Sequence, residues 1–86
     1  MASIQDIADA SYQIGQSAKE AQARTMRCAE NLHTQSAQLA ATVRGSRTGE
    51  DAVRLVNQAE LAVRESAARL ATLRSTIDLF IQDLTK

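Results

Sequence analysis

The sequence predicts an all-α protein, an antiparallel two-helix hairpin that forms one domain over residues 1–86. Proline is absent and glycine occurs three times, whereas residues that favour helix, above all Ala, Leu, Arg, Gln and Glu, dominate the composition. Apolar residues recur at alternating spacings of three and four on both sides of a segment that holds two of the glycines. We therefore expect helices at 4–43 and 49–85, joined by a turn at 44–48.

The first helix begins at a clear signal and carries a sustained apolar stripe. Ser3 followed by Asp6 forms the pattern of a capping box, which predicts a start at Ile4. The stripe repeats with a heptad rhythm that is typical of packed helices, and it comprises Ile4, Ile7, Ser11, Ile14, Ala18, Ala21, Thr25, Cys28, Leu32, Gln35 and Leu39. Beside it runs a row of small residues, Ala8, Gly15, Ala29 and Ser36, which favours close approach of another helix.

The residues singled out at the predicted turn, 44–48, and at its two borders are Val43, Arg44, Gly45 and Gly49. Gly45 is suited to the left-handed conformation that closes a helix. Thr48 with Asp51 reads as a second capping box, so we expect the next helix to open there.

The second helix has a stronger stripe, and the two stripes can be laid against each other. Its members are Ala52, Val56, Ala59, Val63, Ser66, Leu70, Leu73, Ile77, Phe80 and Leu84. Folding at the turn sets Ile14 opposite Ile77 and Cys28 opposite Val63, with large residues facing small ones in half of the layers. This alignment predicts that Cys28 is a buried apolar residue.

Several apolar residues lie outside these stripes. They either flank the stripes or are scattered surface residues, or else they form a second apolar face that meets another hairpin. We favour the second face, because a lone pair of Ala-rich helices buries little area and two hairpins would complete a four-helix bundle. The candidate partner face consists of Tyr12, Met26, Leu61, Leu79 and Ile81.

The sequence offers little for catalysis, cofactors or metals. His33 is the only histidine and has no Cys or carboxylate three or four residues later to complete a ligand set. The acidic residues near the open end, Asp6, Asp9, Asp78 and Asp83, match no calcium loop. We therefore expect no enzyme activity, no cofactor and no metal.

Composition and charge also limit the partners. Ten basic and ten acidic residues cancel, and no basic stripe with interleaved aromatics suggests nucleic acid. The N-terminus lacks the features of a cleavable signal peptide, and no apolar run is long enough for a membrane span. A single cysteine leaves the redox compartment open.

In length and layout, and with a glycine at the third position of Val43-Arg44-Gly45, the chain resembles the Trp-X-Gly (WXG) family of small helical hairpins associated with type VII secretion in Gram-positive bacteria. Val43 stands where the family has tryptophan. The family's export signal, a tyrosine followed four residues later by an acid beyond the second helix, has no match, since the only tyrosine is Tyr12. The resemblance implies a chain that pairs with another hairpin, or with the helical N-terminal region of a larger secreted toxin.

Two classes of function therefore remain open. The first is a secretion-related interaction protein, a co-secreted partner, chaperone or targeting factor that acts as a homodimer or heterodimer. It would be secreted by a route independent of a signal peptide, or be cytoplasmic before export. The second is a structural coiled-coil assembly subunit, or a hairpin similar to a signalling stalk.

Overall fold

The computed structural model describes residues 2–86 and confirms the predicted hairpin. Helix α1 spans Ile4–Thr42 and helix α2 spans Arg47–Leu84. They pack side by side, and no strand occurs in the described residues. The Cα envelope measures 63 × 20 × 14 Å, so the molecule is a thin slab with two broad faces.

Helix α1 begins at the predicted capping box. The Ser3 hydroxyl accepts a hydrogen bond from the Asp6 backbone N–H at 3.1 Å, and the Asp6 carboxylate accepts one from the Ser3 N–H at 3.2 Å. These reciprocal bonds satisfy N–H groups that the first turn leaves without helical partners. At the other end, the Val43 N–H donates to the Leu39 carbonyl at 2.9 Å and closes the last turn.

The turn confirms one prediction and corrects another. Gly45 has φ +85°, the left-handed conformation expected of it. The cap of α2 is Ser46 and not Thr48, because Ser46 has an extended backbone and its hydroxyl accepts from the Gly49 N–H at 3.2 Å. Helix α2 therefore begins at Arg47, two residues before the predicted start, and it ends at Leu84.

The interface between the helices is thin. Its fully buried apolar residues are all alanines, and no large side chain among residues 2–86 is fully buried. On α1 the interface rows are Ala8, Gly15, Gln22, Ala29, Ser36 and Val43, together with Ser11, Ala18, Thr25, Leu32 and Leu39. On α2 they are Val53, Glu60, Ala67, Arg74 and Ile81, together with Val56, Val63, Leu70, Ile77 and Leu84.

On each helix, almost half of the predicted stripe is therefore exposed, because the interface uses the neighbouring row of residues instead. Five stripe members on α1 and four on α2 are exposed: Ile4, Ile7, Ile14, Cys28 and Gln35, and Ala59, Ser66, Leu73 and Phe80. The small row of α1 packs against α2 instead, because small side chains let the two backbones approach closely. The prediction that Cys28 is buried was wrong.

The axial alignment differs from the predicted one by about one residue. A Cβ built on Gly15 would lie 3.5 Å from Ile77 Cγ2, so Gly15 rather than Ile14 faces Ile77. Ser36 is bonded to Asn57, whereas the prediction paired Gln35 with Val56.

Neither helix combines the length and apolar character that crossing a membrane requires, as far as residues 2–86 show.

Candidate functional site

One broad face of the hairpin is apolar and unpaired in the described structure. Its largest side chains are Ile14, Phe80, Leu73 and Ile7, which are 54%, 46%, 42% and 37% exposed. Smaller residues continue the same two rows toward the turn, and these are Ala21, Cys28, Gln35, Ala52, Ala59 and Ser66. We call this set of residues the apolar face.

The two rows of the apolar face lie on the same side of the slab. Cys28 and Ser66 line a common surface groove together with Thr25 and Val63. In packed helices, residues seven or fourteen positions apart lie on one row. Ile14 is fourteen residues before Cys28, and Phe80 is fourteen residues after Ser66. The large side chains therefore converge on this side, toward the open end of the hairpin.

The opposite broad face is polar and cross-linked. In its turn-side half, the Glu60 carboxylate accepts from Arg64 Nε at 2.8 Å and lies 3.1 Å from His33 Nδ1. The Glu60 side chain is only 12% exposed, whereas that of His33 is 71% exposed. This network joins α1 to α2 in the half of the slab that is nearer the turn.

The environment of Glu60 favours its charged form. The hydrogen bond from Arg64 lowers the pKa of Glu60 below its ordinary value of 4.5, and the hydrogen bond with His33 lowers it further, although partial desolvation opposes both effects. A stabilised carboxylate tied to both helices is suited to holding the hairpin closed. It does not resemble a general acid, which needs a raised pKa.

Two further polar contacts fix the alignment of the helices. Ser36 Oγ donates to Asn57 Oδ1 at 2.5 Å, and Arg74 Nη1 donates to Gln22 Oε1 at 2.8 Å. Hydrogen bonds are directional, so they allow little sliding of one helix along the other, whereas packed alanine surfaces allow more. The polar contacts therefore set the register that the small interface residues leave weakly specified.

The residues of the predicted partner face do not form one surface. Tyr12 and Ile81 line a groove on the polar side together with Asp78, and Met26 lies on the row of Tyr12, fourteen residues further along α1. Leu61 and Leu79 are exposed on the outer side of α2. The structure thus brings Tyr12 and Ile81 together, places Met26 further along the same side, and leaves Leu61 and Leu79 on a different side.

The turn residues form a compact end. Val43 packs against Gly49, where a Cβ would lie 2.8 Å from Val43 Cγ2. Arg44 and Glu50 line a shallow groove with neighbouring alanines of α1. Gly45 has open space around its Cα, so its role there is conformational.

Three of the four acidic residues near the open end make local contacts. Asp6 belongs to the capping box, Asp9 accepts from the Gln5 amide at 2.8 Å, and Asp83 lies 3.5 Å from the Lys86 ammonium. Within residues 2–86, no three His, Cys, Asp or Glu side chains converge as metal ligands do.

Sequence reasoning placed the large residues of the apolar face inside the hairpin. The sequence feature that could have revealed the exposed face is the width of the apolar arc. Three adjacent rows on each helix are largely apolar or small, whereas the interface of a hairpin occupies only two rows, so one apolar row on each helix is left outside. An arc of that width is typical of helices that contact two neighbours.

No protein-family model matches this chain, and no curated protein or solved structure matches it significantly.

Proposed function

We propose that this chain is a non-enzymatic interaction module whose apolar face docks on a second helical hairpin, so that the two together form a four-helix bundle. The observation that carries the proposal is the distribution of side-chain size. The hairpin buries alanines between its own helices and leaves Ile7, Ile14, Leu73 and Phe80 half-exposed on one side. A contiguous apolar surface of this kind marks an interaction site.

Docking would supply stability that the hairpin alone lacks. Covering a large apolar side chain completely stabilises by about 1.5–3 kcal/mol, so covering the exposed half of one contributes about 1 kcal/mol. A two-layer fold with an alanine core is marginal, and a partner that binds only the folded state shifts the equilibrium toward it.

The dimensions of the slab are adequate for a specific interface. A face of 63 × 20 Å offers on the order of 1,000 Å², and a standard interface buries about 800 Å² on each partner. Two such faces packed together would give every helix two neighbours, which accounts for the wide apolar arc.

The biological setting that fits best is type VII secretion. The support comes from the size of the hairpin and from Val43-Arg44-Gly45, where Gly45 takes the left-handed conformation two residues after the α1 cap. In this setting the chain pairs with another hairpin, or with the helical N-terminal region of a secreted toxin, and it is exported without a cleaved signal peptide or acts before export as a partner or targeting factor.

Light scattering and sedimentation on the purified chain, alone and mixed with candidate helical neighbours, test this proposal. We expect a discrete dimer of hairpins. Ile14→Asp should abolish its formation, because the aspartate would be buried without a partner in the bundle core. Leu79→Asp is the matched control, since it introduces the same charge at an exposed leucine outside the apolar face and should leave association intact.

The result also separates the alternative functions. If Leu79→Asp abolishes association and Ile14→Asp does not, the partner binds the outer side of α2 and the proposed face is wrong. Large polydisperse or filamentous species in place of a dimer would favour the assembly-subunit alternative. A folded monomer that no helical neighbour stabilises would refute the interaction module.

A further inference from the structure

The apolar face and its two edges are almost free of charge. The face comprises positions 7, 14, 21, 28 and 35 of α1 and positions 52, 59, 66, 73 and 80 of α2, and none of these is charged. The adjoining edge rows are positions 10, 17, 24, 31 and 38 and positions 55, 62, 69, 76 and 83. They hold only Arg24, Arg69 and Asp83 as charged residues.

The two arginines lie at the same level, one on each edge of the apolar face. His33 is bonded to Glu60, which fixes the axial alignment of the helices there. Arg24 lies nine residues before His33, and Arg69 lies nine residues after Glu60, so the two are level in an antiparallel hairpin. Both side chains are exposed, and neither forms an ion pair with another residue in 2–86.

The position of the arginine pair discriminates between possible occupants. Arg24 lies near the midpoint of α1, which spans Ile4–Thr42. A second copy that covers the full length of the face would therefore bring four guanidinium groups into one layer, whether the two turns lie together or at opposite ends. Like charges juxtaposed at an interface weaken binding and act against that partner.

We propose that the apolar face selects a hairpin of different sequence, with an apolar face of its own that is edged by carboxylates at mid-length. This inference rests on the proposed function and adds the chemistry of the partner. Carboxylates on both edges would accept charge-assisted hydrogen bonds from Arg24 and Arg69, which form no ion pair with Glu20 and Glu65 four residues before them. The apolar rows supply affinity, and the arginine layer supplies the choice of partner and the axial alignment.

A charge-reversed copy of the chain serves as the acidic probe. The variant Arg24→Glu/Arg69→Glu keeps the apolar face and presents carboxylates at mid-length. Mixed with the wild-type chain, it should form a 1:1 dimer that is about tenfold or more tighter than either chain forms with itself, and added salt should weaken the mixed dimer. Sedimentation velocity of the separate and mixed chains measures this difference.

The matched control is Arg27→Glu/Arg47→Glu, which changes the net charge equally at positions outside the apolar face. Mixing this control with the wild-type chain should give no such preference. Circular dichroism of each chain establishes that it is folded. If the doubly acidic variant does not fold, Arg24→Gln/Arg69→Gln takes its place, and it should associate with itself more tightly than the wild type does.

Three outcomes overturn the inference. These are a wild-type dimer as tight as the mixed one, an equal gain in the control mixture, and no dimer in any mixture. A wild-type dimer as tight as the mixed dimer would overturn the selection of a different partner but not the proposed function, because that dimer would still depend on Ile14. If Ile14→Asp leaves the mixed dimer intact, the docking face itself is wrong.

Discussion

The two helical glycines should respond to alanine in opposite directions, because their surroundings differ. A Cβ at Gly15 would lie 3.5 Å from Ile77 Cγ2, an ordinary van der Waals distance. A Cβ at Gly49 would lie 2.8 and 3.0 Å from the two Cγ atoms of Val43 and would collide with Val43 Cβ. Rotation of Val43 can move its Cγ atoms but not its Cβ, so relief requires the turn to open.

The magnitudes follow from helix propensity and overpacking. Replacing glycine by alanine inside a helix gains about 0.5–1 kcal/mol, which Gly15→Ala should realise in full. Forcing an extra methyl group into a filled space costs about 1–3 kcal/mol. For Gly49→Ala this cost outweighs the gain in helix propensity, which is smaller because Gly49 lies in the first turn of α2. The two variants should therefore differ by about 2 kcal/mol in the free energy of unfolding.

Urea unfolding followed by circular dichroism measures both variants, at a protein concentration where the chain is monomeric. We expect the midpoint to rise for Gly15→Ala and to fall for Gly49→Ala, with the slope unchanged. In a double-mutant cycle the Gly49→Ala penalty should disappear with Val43→Gly, which removes the colliding Cβ, and largely persist with Val43→Ala. A Gly49→Ala protein at least as stable as the wild type would refute this account of the turn.

Three other predictions test the turn, the interface and the polar face. Gly45→Ala should cost about 1–2 kcal/mol, because its φ is +85°, and Gly45→Asn should cost less; equal midpoints for the wild type and the alanine variant would contradict the assigned conformation. Ala29→Leu should destabilise by about 1–3 kcal/mol, since Ala29 is fully buried between the helices, and a thermal midpoint that does not fall would show that the interface is drawn wrongly. Glu60 has a lowered pKa in the folded state, so its stabilisation is complete above pH 4.5 and is lost as the pH falls through that lowered pKa. Glu60→Gln should therefore remove part of the acid sensitivity, and parallel pH profiles of stability for the two proteins would contradict the role of the carboxylate.

The placement of the apolar rows shows where periodicity stops being informative. Heptad spacing identifies three adjacent rows on each helix that are apolar or small, and any two neighbouring rows satisfy the same three-four rhythm. The pair with the larger side chains includes Ile7, Ile14, Leu73 and Phe80, and hydrophobicity alone selects it. The structure instead packs the pair that contains Ala8, Ala29 and Ala67.

The sequence alone determined the helices, the turn and the antiparallel hairpin, because these depend on local features. The Ser3–Asp6 capping box, the left-handed Gly45 and the absence of proline act within a few residues and do not depend on the rest of the chain. Ser46 displaced Thr48 as the cap of α2 within the same local segment.

Only the tertiary structure decided which rows of each helix meet. That choice depends on how closely two backbones can approach and on contacts between distant residues, such as Glu60 with His33 and Ser36 with Asn57. These pairs are 27 and 21 residues apart, and no local pattern reveals them. Because the row of small residues on α1 packs against α2, the large side chains of Ile7, Ile14, Leu73 and Phe80 stay outside the interface, where they form part of the apolar face.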